Sequence, residues 1–302
     1  MHAIAIEGLR KTYPRSWASG PVEAVSDVSV HVEQGEVFGF IGPNGAGKST
    51  TIKILTGAMK PSGGEVRIFG TPVDDSSARL GMGYVPENPS LPEYLTPLEI
   101  LQMAVEQHRL KVSNLREHCM ALLARFQIDH VAGKAIRSFS KGMAQRTALA
   151  HALCVNPKLL ILDEPLSGLD PVGRRDVVDI LAEYKGRGGT IFLTSHVLHD
   201  VERLADRFGL IHKGRLLTLS SPNELAGGKQ LYTVRSIGVA PVEGLVAEAA
   251  DRWHAEVDGD ALWPLLEQLK SSGHRLVEVK PSLSLESAFF RYLQDSGTGD
   301  LK

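Results

Sequence analysis

One octapeptide constrains this chain more than any other feature. Gly42, Pro43, Asn44, Gly45, Ala46, Gly47, Lys48 and Ser49 fit the spacing G-x-x-x-x-G-K-[ST]. That spacing carries chemistry in one setting, immediately after a strand and at the start of a helix. Both neighbours fit: residues 37–41 are a short apolar run of the kind that forms a parallel strand covered on both faces, and residues 50–55 continue as a helix. Glycines let the backbone curl so that successive N–H groups point inward at phosphate oxygens, and the helix that follows adds its positive end. In such a loop Lys48 reaches the β- and γ-phosphates of a nucleotide, and the Ser49 hydroxyl serves a Mg²⁺ ion.

A second buried strand is predicted at residues 159–162, delivering Asp163 and Glu164 to its C-terminal tip, where open α/β sheets bind ligands. Strand alternation sends the two carboxylates different ways, so they take different jobs. Asp163 suits the Mg²⁺ shell, and Glu164 can orient and deprotonate a water that attacks the γ-phosphate. A third apolar run follows at residues 190–194. Alternating strand and helix patterns up to about residue 220 predict an α/β layer fold, a P-loop NTPase core with a mixed β-sheet. Apolar residues at helical spacing between 98 and 128 predict a helical insertion, a subdomain over about residues 88–157. Near its end, Ser140 is placed to cap a helix whose apolar face runs through Met143, Ala144, Thr147, Ala148 and Leu153. With Gly142 beside the cap, this helix start is a candidate second anion site; taken alone, an ordinary capped helix is the better explanation.

Composition closes off other classes. With 43% hydrophobic and 23% charged residues, the chain of 302 can bury a full core. The net charge of −2 gives no electrostatic footprint for nucleic acid, and none is expected as a partner. Two cysteines, Cys119 and Cys154, are too few for a disulfide framework and read as buried thiols in a reducing compartment. The first residues alternate as a strand, with no secretory leader expected, and no run approaches the roughly 20 apolar residues that cross a bilayer. After residue 220 the character changes. Residues 231–237, 245–253, 262–269 and 275–279 read as strand, helix, helix, strand, a small α+β domain spanning 221–302 behind a first domain of 1–220. Within it Leu285, Ala288, Phe289, Tyr292 and Leu293 form an apolar helical stripe.

In combination these residues resemble the ATP-binding subunits of ABC transporters over roughly residues 4–219. The resemblance implies that Tyr13 stacks on adenine, that Thr50 belongs with residues 42–49 to the ATP site, and that the segment holding Glu87 reaches toward the γ-phosphate and the membrane subunits. It further implies that Ser140, Lys141, Gly142 and Met143 are the signature sequence. Ser167, Gly168, Leu169 and Asp170 would be the loop crossing a dimer interface, and His196 the switch histidine. Two positions depart from the family pattern: Glu87 stands where glutamine is usual, beside the γ-phosphate and metal, and Lys141 where glycine is usual. With Met143, this variant is similar to the subfamily that serves exporter-type membrane subunits of the ABC-2 kind.

The resemblance also implies the partners. The signature helix is cut off from the P-loop by the helical insertion, so a second copy supplies it and two ATP are buried in a homodimer. The expected setting is the cytoplasmic face of the inner membrane, peripherally attached to two separately encoded integral membrane subunits. A soluble ABC-type ATPase acting on ribosomes or DNA is the alternative; such relatives usually carry two cassettes or a long coiled coil, which this chain lacks. The C-terminal domain is left with a regulatory or dimer-stabilising role.

Overall fold

The computed structural model describes residues 2–14, 20–196, 203–221, 224, 231–239, 241–249 and 251–281. The chain divides into two compact units, Met1–Leu219 and Ser220–Lys302.

The first unit opens with two long antiparallel strands, β1 (His2–Tyr13) and β2 (Val22–Glu33), followed by β3 (Val37–Ile41) and helix α1 (Lys48–Leu55). Strands β4 (Gly63–Ile68), β5 (Thr71–Pro72) and β6 (Met82–Val85) come next. The helical segment holds α2 (Pro97–Gln107), α3 (Leu115–Arg125) and α4 (Lys141–Cys154). The unit closes with β7 (Leu159–Asp163), α5 (Pro171–Gly186), β8 (Thr190–Ser195), β9 (Arg207–His212) and β10 (Arg215–Ser220). One sheet has the order β2-β1-β4-β5, the other β10-β9-β3-β8-β7-β6. Between them lies a core of Ile4, Ile6, Val28 and Val30 from the first sheet, Phe38, Phe40 and Phe192 from the second, and Ile52 and Leu55 from α1. The Phe192 ring sits 5.8 Å from Phe38 and 5.7 Å from Phe40, so the three aromatics pack as one block.

In the second sheet β9, β3, β8, β7 and β6 run parallel, with β3, β7 and β8 buried throughout. Parallel neighbours share one C-terminal edge, so the loops after β3, β8, β7 and β6 emerge side by side in that order. The helical segment expected over residues 98–128 is two helices. Thr96 and Glu99 make a reciprocal capping box at the start of α2, Asn114 caps α3, and between them Arg109 takes a left-handed φ of 52° that ends the first helix.

The second unit contains β11 (Leu231–Ile237), β12 (Val246–Ala247), β13 (Arg252–Asp258), helix α6 (Gly259–Ser271) and β14 (Arg275–Pro281), with sheet order β12-β13-β11-β14. The helix expected at 245–253 is absent: Val246 and Ala247 are strand, and Trp253 lies in β13. Period-two alternation, Arg252, His254 and Glu256 against Trp253, Ala255 and Val257, fits an antiparallel partner for β11 and prevails over the short apolar run before it. Val234, Ala255, Leu262, Leu265 and Leu269 form this unit's own core. The stripe from Leu285 to Leu293 lies outside the described residues.

Candidate functional site

The loop between β3 and α1 has the shape that glycine alone permits. A Cβ on Gly42 would stand 2.2 Å from the Ile211 carbonyl oxygen, and one on Gly47 would stand 2.6 Å from that of Ala24. Gly47 also takes a φ of +113°, which L side chains rarely adopt. With these two positions bare, the loop curls tightly into the start of α1, whose first N–H groups are left for a ligand. The loop opens on a cavity of about 290 Å³ lined by Ala24, residues 44–50, Glu87, Glu164 and His196. The four adjacent strands account for this company: β3 leads to Lys48, β8 to His196, β7 to Glu164 and β6 to Glu87.

Inside the cavity the charged groups hold one another. Lys48 is buried, donates to the Gly42 carbonyl at 2.7 Å and to that of Pro43 at 3.3 Å, and stands 3.6 Å from Glu164 Oε1. Glu164 is 7% exposed, and its other oxygen, Oε2, accepts the His196 backbone N–H at 3.2 Å and lies 2.8 Å from His196 Nδ1. The Glu164 backbone has a left-handed φ of 48°, unusual for a side chain of this size. Its N–H donates to the carbonyl and to the hydroxyl of Thr194, both at 3.2 Å. That hydroxyl in turn donates to Asp163 Oδ1 at 2.6 Å. Asp163 also acts beyond β7: its charge, second to burial, raises the pKa of the Tyr84 hydroxyl on β6.

Tyr13 lies outside the lining of this cavity. Its hydroxyl sits 3.3 Å from Thr50 Oγ1, Thr50 being a lining residue, and donates to Met59 Sδ at 3.4 Å, while Lys11 Nζ lies 5.7 Å from the ring centroid. The ring is thus anchored next to the phosphate loop by its polar end.

The start of α4 forms a separate cluster. Ser140 Oγ accepts the Met143 N–H at 3.3 Å, the N-cap expected of it. Lys141 Nζ donates to Ser167 Oγ at 3.2 Å. Its stem lies along Gly168, where a Cβ would meet Lys141 Cδ at 2.8 Å. Gly142 faces the same loop, its Cβ position 3.1 Å from the Gly168 carbonyl oxygen. Farther along α4, Gln145 Nε2 donates to the Pro165 carbonyl at 3.0 Å, and Arg146 Nη2 lies 3.7 Å from Asp170 Oδ1. Asp170 caps α5 by accepting the Gly173 N–H, and Leu169 is buried behind it. Residues 140–143 and 167–170 therefore pack as one cluster; none of them lines the cavity of the phosphate loop, while Ser167 and Gly168 line a second cavity that Glu164 and His196 also line.

A family model described as ABC transporter matches residues 25–167. An uncharacterized ABC transporter ATP-binding protein of Nostoc sp. is 36% identical over 305 residues, covering 98% of this chain and 91% of the relative. The chain belongs to the ABC transporter family of ATP-binding proteins. A Nod factor export ATP-binding protein I of Rhizobium sp. is similar too, 33% identical and covering 96% of each chain. The solved ATP-binding subunit of an ABC transporter shares 32% identity with a TM-score of 0.68, over 75% of this chain and 92% of that one. As an ABC ATP-binding subunit the chain takes ATP, and its activity is ATP hydrolysis.

The donors around the cavity fit a small hard cation. Ser49 offers a hydroxyl and Glu87 a carboxylate from the lining, and Asp163, next to Glu164 but outside the lining, one carboxylate oxygen beyond that spent on Thr194. Among the described residues no group of three or more His, Cys, Asp or Glu can hold a metal by itself. A Mg²⁺ ion held by these residues would take its remaining ligands from water or from bound phosphate. The sequence reading passed over Thr194 as a functional group. A hydroxyl after the apolar run at residues 191–193 is its one signal in the sequence, and only the pairing of β7 with β8 shows what it touches.

Proposed function

We propose that the chain is the ATP-hydrolysing subunit of an exporter-type ABC transporter of the ABC-2 kind. It forms a homodimer around two ATP and drives two separately encoded integral membrane subunits from the cytoplasmic face of the inner membrane. The observation that carries this reading is the split between the two clusters. The cavity is lined by the phosphate loop, Glu164 and His196, whereas Ser140, Lys141 and Gly142 are outside that lining, Lys141 bonded to Ser167 and Gly142 set against Gly168. A helix start outside its own chain's cavity is available to a second copy's loop, and a two-fold arrangement satisfies both at once. Relatives whose name specifies export of Nod factor favour the exporter assignment. Among the described residues no helix is long and apolar enough to cross a membrane, so the reading assigns the span to partner subunits.

In this reading the N–H groups of residues 45–49 and the Lys48 ammonium hold the β- and γ-phosphates, and Tyr13 supports the base. Ser49 and Asp163 would hold Mg²⁺, with Glu87 next to it. When bound, the ion neutralises phosphate charge as the bridging oxygen departs. Glu164 accepts a proton from the attacking water, a P–O bond forms at the γ-phosphorus, and the bond to the β-γ bridging oxygen breaks, leaving ADP and phosphate. His196, already bonded to Glu164 Oε2, orients that carboxylate and hydrogen-bonds the γ-phosphate. Glu87, in the loop between sheet and helical segment, transmits the nucleotide state to the membrane partner. Residues 221–302 add a regulatory or dimer-stabilising unit.

Mixed dimers test the arrangement. One chain with Lys48→Ala paired with one carrying Ser140→Arg retains a single intact composite site if the signature acts on the partner's nucleotide. Hydrolysis by the mixed dimer, with both homodimers inactive, is expected. An inactive mixed dimer of folded, paired chains overturns the arrangement.

A further inference from the structure

We propose that Thr194 is a positioning residue for hydrolysis, setting through one hydroxyl group the geometry of both acids at the tip of β7; this rests on the site reading above. Thr194 is fully buried in β8 and pairs directly with Asp163 across the parallel ladder. Its single proton goes to Asp163 Oδ1 over 2.6 Å, the short distance of a hydrogen bond to a charged acceptor. With the proton committed there, the oxygen's lone pairs face the other way and accept the Glu164 N–H at 3.2 Å. The result is a directed chain from the Glu164 amide through the hydroxyl to the Asp163 carboxylate.

Each end of that chain meets a specific need. Asp163 is almost fully buried; with Oδ1 tied to Thr194, the carboxylate is fixed in rotation and Oδ2 is the oxygen left for a cation. Glu164 is held in a left-handed backbone conformation that a residue of its size leaves unless its surroundings over-determine it. The shared bond from its N–H to the Thr194 hydroxyl and carbonyl supplies part of that constraint, aiming its side chain at Lys48 and His196. Val would match the shape of Thr194 and suits the apolar interior of β8, so the hydroxyl is the feature that calls for an explanation.

Thr194→Val keeps the shape and removes the hydroxyl, and Thr194→Ser keeps the hydroxyl and removes the methyl. Steady-state ATP hydrolysis, thermal unfolding, and Mn²⁺ binding with a non-hydrolysable ATP analogue, read by electron paramagnetic resonance, would be measured on the full chain. In the valine variant kcat is expected to fall by about tenfold or more with KM for ATP changed by less than about threefold, and Mn²⁺ binding to weaken severalfold; the serine variant should recover most of both. A folded valine chain with parent-like kcat and Mn²⁺ binding overturns the proposal, as does a serine chain as impaired as the valine one. Should valine prevent folding, Thr194→Ala against Thr194→Ser decides on the same terms. A parent chain that does not hydrolyse ATP overturns the site reading itself, whereas a hydrolysing parent with an indifferent valine variant overturns only the role of Thr194.

Discussion

Glu164→Gln should tighten ATP binding while abolishing most turnover, and the structure sets the scale of the first effect. In the structure, the Lys48 ammonium lies 3.6 Å from Glu164 Oε1 and both groups are buried. At an effective dielectric of about 20, two unit charges at that separation attract by about 5 kcal/mol. Much of this is offset by the cost of desolvating both ions, so the part that opposes ligand binding is smaller, on the order of 1.4–3 kcal/mol. Phosphate must draw Lys48 away from the carboxylate, and it must also enter beside a negative charge. Glutamine removes both obstacles and keeps the shape, with an amide that still meets His196. Kd for ATP should therefore fall by about tenfold to a hundredfold. Hydrolysis should fall by about two orders of magnitude or more, because an amide accepts no proton from water. Equilibrium titration of a fluorescent ATP analogue, beside a steady-state phosphate assay, reads both. Because the pair is buried, the affinity ratio should persist from low to high salt, unlike a long-range charge effect. A Kd within twofold of the parent would show that Glu164 does not hold Lys48 back from the phosphate, and the reasoning from this ion pair would be wrong.

Two further outcomes follow from groups in the helical segment. The His151 pKa is lowered from its ordinary value near 6.5, first by burial and then by the charge of His108. A lowered pKa means the unfolded chain binds the proton more tightly, so stability is complete above about pH 6.5 and declines as pH falls toward the folded value; His151→Gln should flatten the decline of Tm below pH 6.5. Burial raises the Cys119 thiol and pushes Cys154 up to about 12, so neither presents thiolate near neutrality. An aromatic disulfide reagent at pH 8 should leave both unmodified in the native protein and titrate both in denaturant; fast native labelling at either would contradict the packing.

What could be read in one dimension was whatever depends on local spacing. The apolar runs that became β3, β7 and β8 were legible because both faces of a central parallel strand are covered, which leaves no polar alternation to confuse the pattern. The glycines of the phosphate loop were legible because their backbone requirement is local. The 245–253 segment was misread for a related reason. Its apolar residues fit a helical face over one turn, and only the pairing of β13 with β11, a contact about 20 residues distant in sequence, settled the period as two.

The interior wiring of the site belongs to a different class of information, because it depends on strand register. That Lys48, Glu164 and His196 meet follows from the order β3-β8-β7, and order comes from the whole sheet's packing rather than from any window of sequence. The Thr194 hydroxyl lies against Asp163 because the two residues share a rung; a slip of one residue between β7 and β8 would turn it to the opposite face. Lys141 makes the same point at the surface. From spacing alone an ammonium at a capped helix start invites an anion, yet the fold brings Ser167 within 3.2 Å of it and lays its stem across Gly168. Its charge thus stays at the helix start while its donor joins that helix to the loop after Glu164.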